Sequence, residues 1–259
     1  MEQTGDRMPD RKIIPDGKFQ TVGKSVPRVD AFEKVTGRAK YADDLSMPHM
    51  LHAVCVHSKV PYASVKVDAE KARSMPGVVL VLTEKDFPKP QSMLDFWYCT
   101  DHPKFCGDVV AVVAAETRTQ AENAAAEVKV LSEKLSGVYT VQEALAPDSP
   151  VIRDKGVGLY NGMPDPSGKG NVFLESYHPL RKGNVADGFA RSDVILERTY
   201  ATGFVEHAYI EPESVLTYYD DVNQLLTIRS CSQQGHMPRE FVADALRLPM
   251  NRVRAVQCT

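Results

Sequence analysis

The stretch that most constrains the fold of this chain is "GDVVAVVAAETRTQAENAAAEVKV", residues 107–130. The run 108–117 is apolar at almost every position, so it predicts a strand covered on both faces, where alternation is not needed. Thr117 then stands where a helix N-cap belongs, and the Ala-rich "RTQAENAAAEV" follows as a helix of small residues. "VKVLSE" returns as a strand. The order strand, helix, strand predicts a helix layer packed on a sheet.

The surrounding sequence supplies the rest of that unit. "LHAVCVHS" alternates and predicts a strand. "SVKVD" is a short strand whose Asp68 caps the following helix "AEKARSM", and Pro76-Gly77 stops that helix. "VVLVLT" reads as a second strand buried on both faces, "EKDF" as a short turn, and "TVQEALA" as a short helix. Residues 29–147 are thus expected to form one compact α+β unit of mixed strands and short helices.

Residues 1–28 carry Pro9, Pro15, Pro27, Gly17 and Gly23 among charges and read as an extended arm, suited to wrapping a neighbour. Residues 148–183 are dense in Pro, Gly, Asp and Asn and read as a linker. Order resumes at 184: a helix over 185–191, a strand in "DVILERTY", and "SVLTYYD" and "QLLTIRS" flanking the turn "DDVN" as a hairpin. A helix "MPREFVADALRL" follows, with Pro238 in its first turn and an apolar stripe of Phe241, Val242, Ala245 and Leu246. "RVRAVQCT", 252–259, alternates as a closing strand. One helix and about three strands cannot bury both faces of a sheet, so 184–259 is expected to be an incomplete domain.

With 259 residues, 43% of them hydrophobic, there is material for a sizeable core. The 31 basic and 34 acidic residues leave a net charge of −3, which gives no general pull toward nucleic acid. No stretch approaches the ~20 apolar residues of a membrane span, and the polar N-terminus has no apolar signal core, so the expected location is the cytoplasm. The five cysteines, Cys55, Cys99, Cys106, Cys231 and Cys258, are odd in number and irregular in spacing, which argues against a disulfide framework. A metal site from Cys99, His102 and Cys106 is conceivable, although zinc sites favour closer cysteines; buried or half-exposed thiols are the plainer reading.

No phosphate-cradling glycine pattern is present; "GVGLYNG", 156–162, lies in the linker and follows no strong strand. Two polar clusters stand out. "EHAYIEPES", 206–214, places Glu206, His207, Glu211 and Glu213 around a tyrosine and a proline. Carboxylates beside a histidine can exchange protons, and equally they can pair on a surface or at an interface. "SCSQQGHMP", 230–238, sits between a strand and a helix N-terminus. Its two side-chain amides both donate and accept without charge, and the helix start offers unpaired N–H groups. A polar turn with a helix cap is the alternative.

Taken in order, "VDAFEKVTGRAKYADDL", "LHAVCVHS", "PGVVLVLTEKDFP" and "GDVVAVVAAETRTQAENAAAEVKV" resemble the a/b hammerhead domain of the xanthine dehydrogenase/aldehyde oxidase family of molybdenum hydroxylases. "EHAYIEPES" resembles the opening of that family's molybdopterin-binding domain, and "SQQGHMPREFVADALRLPMNRVR" the stretch after it. The similarity runs from about residue 24 to residue 259 and is least over 148–180.

The resemblance implies a hammerhead domain followed by the first part of a molybdopterin-binding domain. It implies molybdenum-molybdopterin in its cytosine dinucleotide form, with [2Fe-2S] clusters and FAD on other subunits. In the family, a glutamine eight residues before the Phe-Val-Ala of the helix hydrogen-bonds to a molybdenum ligand; that position is Gln233 here, or Gln234 if the register slips by one. His207, Glu206 and Glu211 are weaker candidates with a structural role. The family's Gly-rich loop and catalytic glutamate have no counterpart here, and "VLSEKL" departs from the usual "EYEPL"-like strand end. The expectation is one half of a split molybdenum subunit, inactive alone, whose partner polypeptide carries those elements; a truncated chain is the other possibility. The implied reaction is hydroxylation of a purine or other N-heteroaromatic ring, or oxidation of an aldehyde. A non-catalytic scaffold is the competing reading, against which the intact "SQQG" stands.

Overall fold

The computed structural model describes residues 21–87, 98–152, 171, 180 and 182–258. By its internal contacts the chain divides into two compact units, Met1–Lys40 (with Thr259) and Tyr41–Cys258. In the first, α1 (Ala31–Val35) buries no residue. Its local order comes from charge: Arg28 and Lys34 both reach the Asp30 carboxylate, at 2.7 Å and 2.8 Å. Those two hydrogen bonds, Arg28 first, hold the Asp30 carboxyl well below the usual carboxylate range.

The second unit opens with five strands, β1 (His52–His57), β2 (Ala63–Asp68), β3 (Val78–Thr83), β4 (Val109–Ala115) and β5 (Lys129–Lys134). They make an antiparallel sheet in the order β1-β4-β3 and a separate antiparallel ribbon β2-β5. The fold is α+β, with its helices short: α2 (Glu70–Arg73), α3 (Arg118–Ala126) and α4 (Val141–Leu145).

The continuous apolar run predicts β4 well. Ala111, Val113 and Ala115 are fully buried on one face, and Ala111 and Val113 pack with Ala69, Ala72, Val81, Ala124 and Val128 under the two helices. Val110, on the other face, is closed over by Ala63 and Val65 of the ribbon. Helix α3 can lie this close because Ala121 and Ala124, its buried positions, are alanines. Thr117 caps it as expected, its hydroxyl accepting the Gln120 N–H at 3.2 Å.

Three local expectations need adjustment. β3 is an edge strand, so Val79 and Leu80 are 56% and 47% exposed where burial on both faces was expected; its apolar run is interrupted by a bulge between Val78 and Leu80. Helix α2 is a single turn, and Asp68 accepts the Glu70 N–H at 3.2 Å from one position before the cap. Gly77, at φ +78°, turns the chain where a Cβ would meet the Gln120 side chain at 2.2 Å, so no other residue fits without displacing it.

The chain from 182 onward begins with α5 (Val185–Ala190), capped by the Asn184 side chain. The strand expected in "DVILERTY" does not form: among the described residues 193–200 take no regular structure, because no neighbouring strand meets their main chain. The hairpin does form, as β6 (Val215–Asp220) and β7 (Leu225–Ser230). Asp220 holds its turn by accepting the Val222 and Asn223 N–H groups at 3.0 Å and 3.1 Å. Helix α6 (His236–Ala245) crosses back, and β8 (Val253–Gln257) adds parallel to β7. The buried centre here is Ile228, Ala243 and Val253, with Val242 and Leu248 against it. Ala243 replaces Leu246 at the core of the predicted stripe, and Leu246 is 55% exposed. Of the predicted boundaries, the arm over 1–20 and most of the linker, including 156–162, lie outside the described residues.

Candidate functional site

The topology of the second sheet gathers the two polar clusters at one end. β6 starts at Val215, immediately after "EHAYIEPES"; β7 ends at Ser230, immediately before "CSQQG". The strands are antiparallel with Val215 opposite Ser230, so the clusters are neighbours. β8 runs parallel to β7 and places Gln257 beside Ser230, and the ladder continues as the Cys258 N–H donates to the Ser230 carbonyl at 2.9 Å. The carboxyl ends of two parallel strands, a helix N-terminus and both clusters therefore meet at one end of the sheet, the end at which open α/β sheets commonly take ligands.

Gln233 is exposed and makes no side-chain hydrogen bond among the described residues. The turn that carries it is nevertheless fixed. The Ser232 hydroxyl donates to the Gln234 carbonyl at 2.9 Å and accepts the Gln234 N–H at 3.2 Å, a local loop that a serine makes just before a helix. Gln234 is also exposed, and its backbone is committed to Ser232. Gly235 is the N-cap and gives no side-chain cap bond, so the first N–H groups of α6 stay open.

The helix behind this turn is held at two further points. The Arg239 guanidinium donates to the Met250 carbonyl through Nε at 2.9 Å and through Nη2. Tyr98 donates its hydroxyl to the Phe241 carbonyl at 2.6 Å and stacks at a tilt on Phe87, 5.4 Å between ring centres. Burial, and then the nearby Asp244, push the Tyr98 hydroxyl pKa up, so it stays a donor. Neither Tyr98 nor Ser232 was evident as a supporting group from sequence. A serine in the turn leading into a helix carries a signal for Ser232, three positions before the N-cap Gly235; Tyr98 is 143 positions from its partner and carries none. An open groove of about 540 Å³ runs beside α6, lined by Gly235, His236, Arg239, Asn251, Val253 and Arg254 among others.

The "EHAYIEPES" segment folds onto itself. Glu206 accepts the Ala208 N–H, Ala208 sits at φ +49°, and the Tyr209 hydroxyl donates to Glu213. That hydrogen bond first, with burial and the charges of Glu213, Glu206 and Cys231 behind it, raises the Tyr209 pKa. Two of the four predicted polar groups are thus engaged locally. His207 is exposed. Glu211 is half-buried, and its Oε1 has no hydrogen-bond partner among the described residues.

The three-residue metal idea finds no geometry. Cys99 is 1% exposed, and burial pushes its thiol up to about 12, which leaves it protonated and a poor ligand. Cys106 is exposed with its Sγ 3.7 Å from the Lys59 carbonyl, and His102 Nδ1 lies 2.8 Å from Asp101 Oδ1. No group of three or more His, Cys, Asp or Glu able to hold a metal occurs among the described residues. All five cysteines are free. No helix among the described residues is long and apolar enough to cross a membrane.

Comparison with known proteins bears on the family and the fold. Residues 36–136 match the model of the aldehyde oxidase and xanthine dehydrogenase a/b hammerhead domain, and residues 166–259 match the molybdopterin cofactor-binding domain. The nicotinate dehydrogenase large molybdopterin subunit of Eubacterium barkeri is 34% identical over 251 residues, 93% of this chain and 54% of that protein. The xanthine dehydrogenase molybdenum-binding subunit of Escherichia coli O157:H7 is 32% identical, over 89% of this chain and 30% of that protein. The chain therefore spans about half the length of the first relative and less than a third of the second. Among solved structures, quinoline 2-oxidoreductase from Pseudomonas putida 86 superposes with a TM-score of 0.72 at 25% identity, over 93% of this chain and 30% of that one. The aldehyde oxidoreductase of Desulfovibrio desulfuricans superposes at 0.70 with 31% identity, over 91% of this chain and 27% of that one. With its two consecutive domain matches, its fold and these relatives in agreement, the chain belongs to the xanthine dehydrogenase/aldehyde oxidase family of molybdenum hydroxylases.

Proposed function

We propose that this chain contributes the Gln233 amide to the molybdenum centre of a multi-subunit hydroxylase that acts on an N-heteroaromatic ring. The observation that carries the reading is the state of Gln233. Its side chain is exposed and uncommitted, while the backbone on either side is locked by Ser232 and by the start of α6. A neutral amide on a rigid turn donates and accepts at once, so it can meet an oxo or sulfido ligand without adding charge. The residues present thus fit a molybdopterin centre; its bound metal supplies the redox chemistry of hydroxylation. Gln234 is the alternative should the register slip, but its own backbone is tied into the Ser232 loop. Glu206 and Glu213 hold the adjoining segment through Ala208 and Tyr209, a supporting role.

The Gly-rich loop and the catalytic glutamate belong, in this reading, to further molybdopterin-binding sequence that completes the pocket, on a separate polypeptide as the split-subunit expectation has it. The relatives named as subunits favour a hetero-oligomer; [2Fe-2S] and FAD components on other subunits, a cytosine dinucleotide cofactor and a cytoplasmic location complete the proposal on the family resemblance alone. The substrate class rests on names borne by relatives: nicotinate, xanthine and quinoline are all N-heteroaromatic. The two curated relatives named above, at 34% and 32% identity, put a purine or a pyridine-type ring first, and the aldehyde oxidoreductase at 31% identity keeps an aldehyde as the second reading.

The test is to tag this chain in its host, recover the assembled enzyme and measure molybdenum and turnover. Stoichiometric molybdenum with oxidation of a purine or nicotinate is expected; an assembly without molybdenum refutes the reading, and aldehyde-only turnover refutes the substrate class. A Gln233→Ala variant should assemble normally and lose about 10–100-fold in turnover, the usual cost of removing a group that orients a metal ligand. Unchanged kinetics would remove the assignment.

A further inference from the structure

Between α5 and β6 the chain exposes a row of large apolar side chains. Val194 is 75% exposed, Leu196 78%, Tyr200 88% and Phe204 110%. All four are even-numbered, with Arg198 and Thr202 completing the row; the odd positions carry Glu197, Thr199, Ala201 and Gly203 in the middle, with Ile195 and Val205, 56% and 84% exposed, at the two ends. A period of two with one apolar face is the pattern of a half-buried strand. Residues 193–205 nevertheless form no strand and no main-chain to main-chain hydrogen bond among the described residues. Two deficits coincide on one segment: peptide groups without main-chain partners among the described residues, where the Glu197 carbonyl accepts only the neighbouring Arg198 guanidinium at 2.8 Å, and an uncovered apolar face. Contiguous exposed apolar surface of this kind marks an interaction site, and unpaired main chain beside it selects a sheet edge as the partner.

The identity of that partner follows from length and placement. The segment lies inside the match to the cofactor-binding domain, 166–259. This chain accounts for 54% of the nicotinate dehydrogenase subunit and 30% of the quinoline oxidoreductase chain, so enzymes of this kind carry much more protein for it to pack against. We infer that residues 193–205 add as a β-strand to a free sheet edge in the remaining molybdopterin-binding part of the enzyme, burying Val194, Leu196, Tyr200 and Phe204 against it. Main-chain hydrogen bonds supply much of the affinity and the four side chains fix the register, the mode of strand addition. Glu197 and Thr199 lie on the opposite face. The inference rests on the assembled-enzyme reading above but not on Gln233 or on turnover.

Hydrogen–deuterium exchange tests it. The peptide spanning 193–205 should exchange at the rate of an unstructured chain when this protein is alone, and at least about 100-fold more slowly in the assembled enzyme. Leu196→Asp or Phe204→Asp should cut recovery of the enzyme's other chains with the tagged protein at least tenfold, with the circular dichroism of the lone chain unchanged. Glu197→Gln and Thr199→Ser should assemble normally. Fast exchange in the assembled enzyme, normal assembly of both Asp variants, or failure to recover any partner would overturn the inference. So would protection that accompanies a dimer mass in sedimentation of the lone chain, since a second copy would then be the occupant. Slow exchange in an assembly without molybdenum would leave this inference standing while removing the proposed cofactor.

Discussion

The two halves of the larger unit satisfy the same physical demands to different degrees. Around β4, the apolar surface of the sheet is covered on both faces from within, by α2 and α3 on one side and the β2-β5 ribbon on the other, and Val110, Ala111 and Val113 reach zero exposure. From residue 182 on, one helix covers one face of a three-stranded sheet, three hydrophobic residues form its buried cluster, and the segment before β6 leaves Leu196, Tyr200 and Phe204 in the open. The first region is a closed core; the second is a framework whose apolar pattern anticipates more protein than it contacts. The contrast also separates roles, since the closed region provides the anchoring Tyr98 while the open one carries Gln233 on the turn beyond the end of its central strand β7.

The largest expected difference is in thiol chemistry. Buried Cys99, its thiol pushed up to about 12, should react with a thiol reagent at pH 8 orders of magnitude more slowly than exposed Cys106, because burial both keeps the thiol protonated and bars the reagent. Equal rates, read by mass spectrometry of labelled peptides, would show that the core opens readily. The same shift has a sign for stability. A raised pKa means the folded state keeps a proton that the unfolded chain releases, so stability should fall as pH rises above the ordinary thiol value of 9.0. Denaturation midpoints of wild type and Cys99→Ala from pH 7.5 to 10.5 would test this: the wild type should lose stability over that range relative to the variant.

Truncation of apolar side chains compares the two regions directly. Val113→Ala removes two methyl groups from a fully buried site and should cost about 2–3 kcal/mol in urea denaturation of the lone chain. Thr117→Ala removes the cap of α3 and should cost about 1 kcal/mol. Leu196→Ala deletes more carbon than Val113→Ala yet should change the stability of the lone chain by less than about 0.5 kcal/mol, its side chain being 78% exposed. If Leu196→Ala proved as costly as Val113→Ala, the distinction between a closed and an open region would be wrong.

Much of this was legible in the residues. The strand 108–117, the Thr117 cap, the β6-β7 hairpin and the helix after "SQQG" appear where period and punctuation placed them, because each depends on contacts within a few residues or on a strongly patterned face. "VVLVLT" misled on burial because an apolar run does not say whether a strand will be central or at an edge. "DVILERTY" misled on structure because a strand is a relation between two segments, and its second member is absent from the described residues. The site divides in the same way. Gln233 could be singled out from its spacing to the helix, whereas the Tyr98 hydroxyl that braces that helix could not.

By itself the sequence determined what is local: the periods, the caps, the free thiols in a chain without a disulfide pattern, and the glutamine on a turn before a helix. Only the tertiary structure decided what depends on meeting at a distance. It paired Val215 with Ser230 and Ser230 with Gln257, so that two clusters separated along the chain share one end of the sheet. It also buried Cys99 and left 193–205 without main-chain partners among the described residues. The physical reason is that hydrogen-bond spacing and side-chain period are set by each residue and its near neighbours, whereas burial and strand partnership are set by which surfaces close over which.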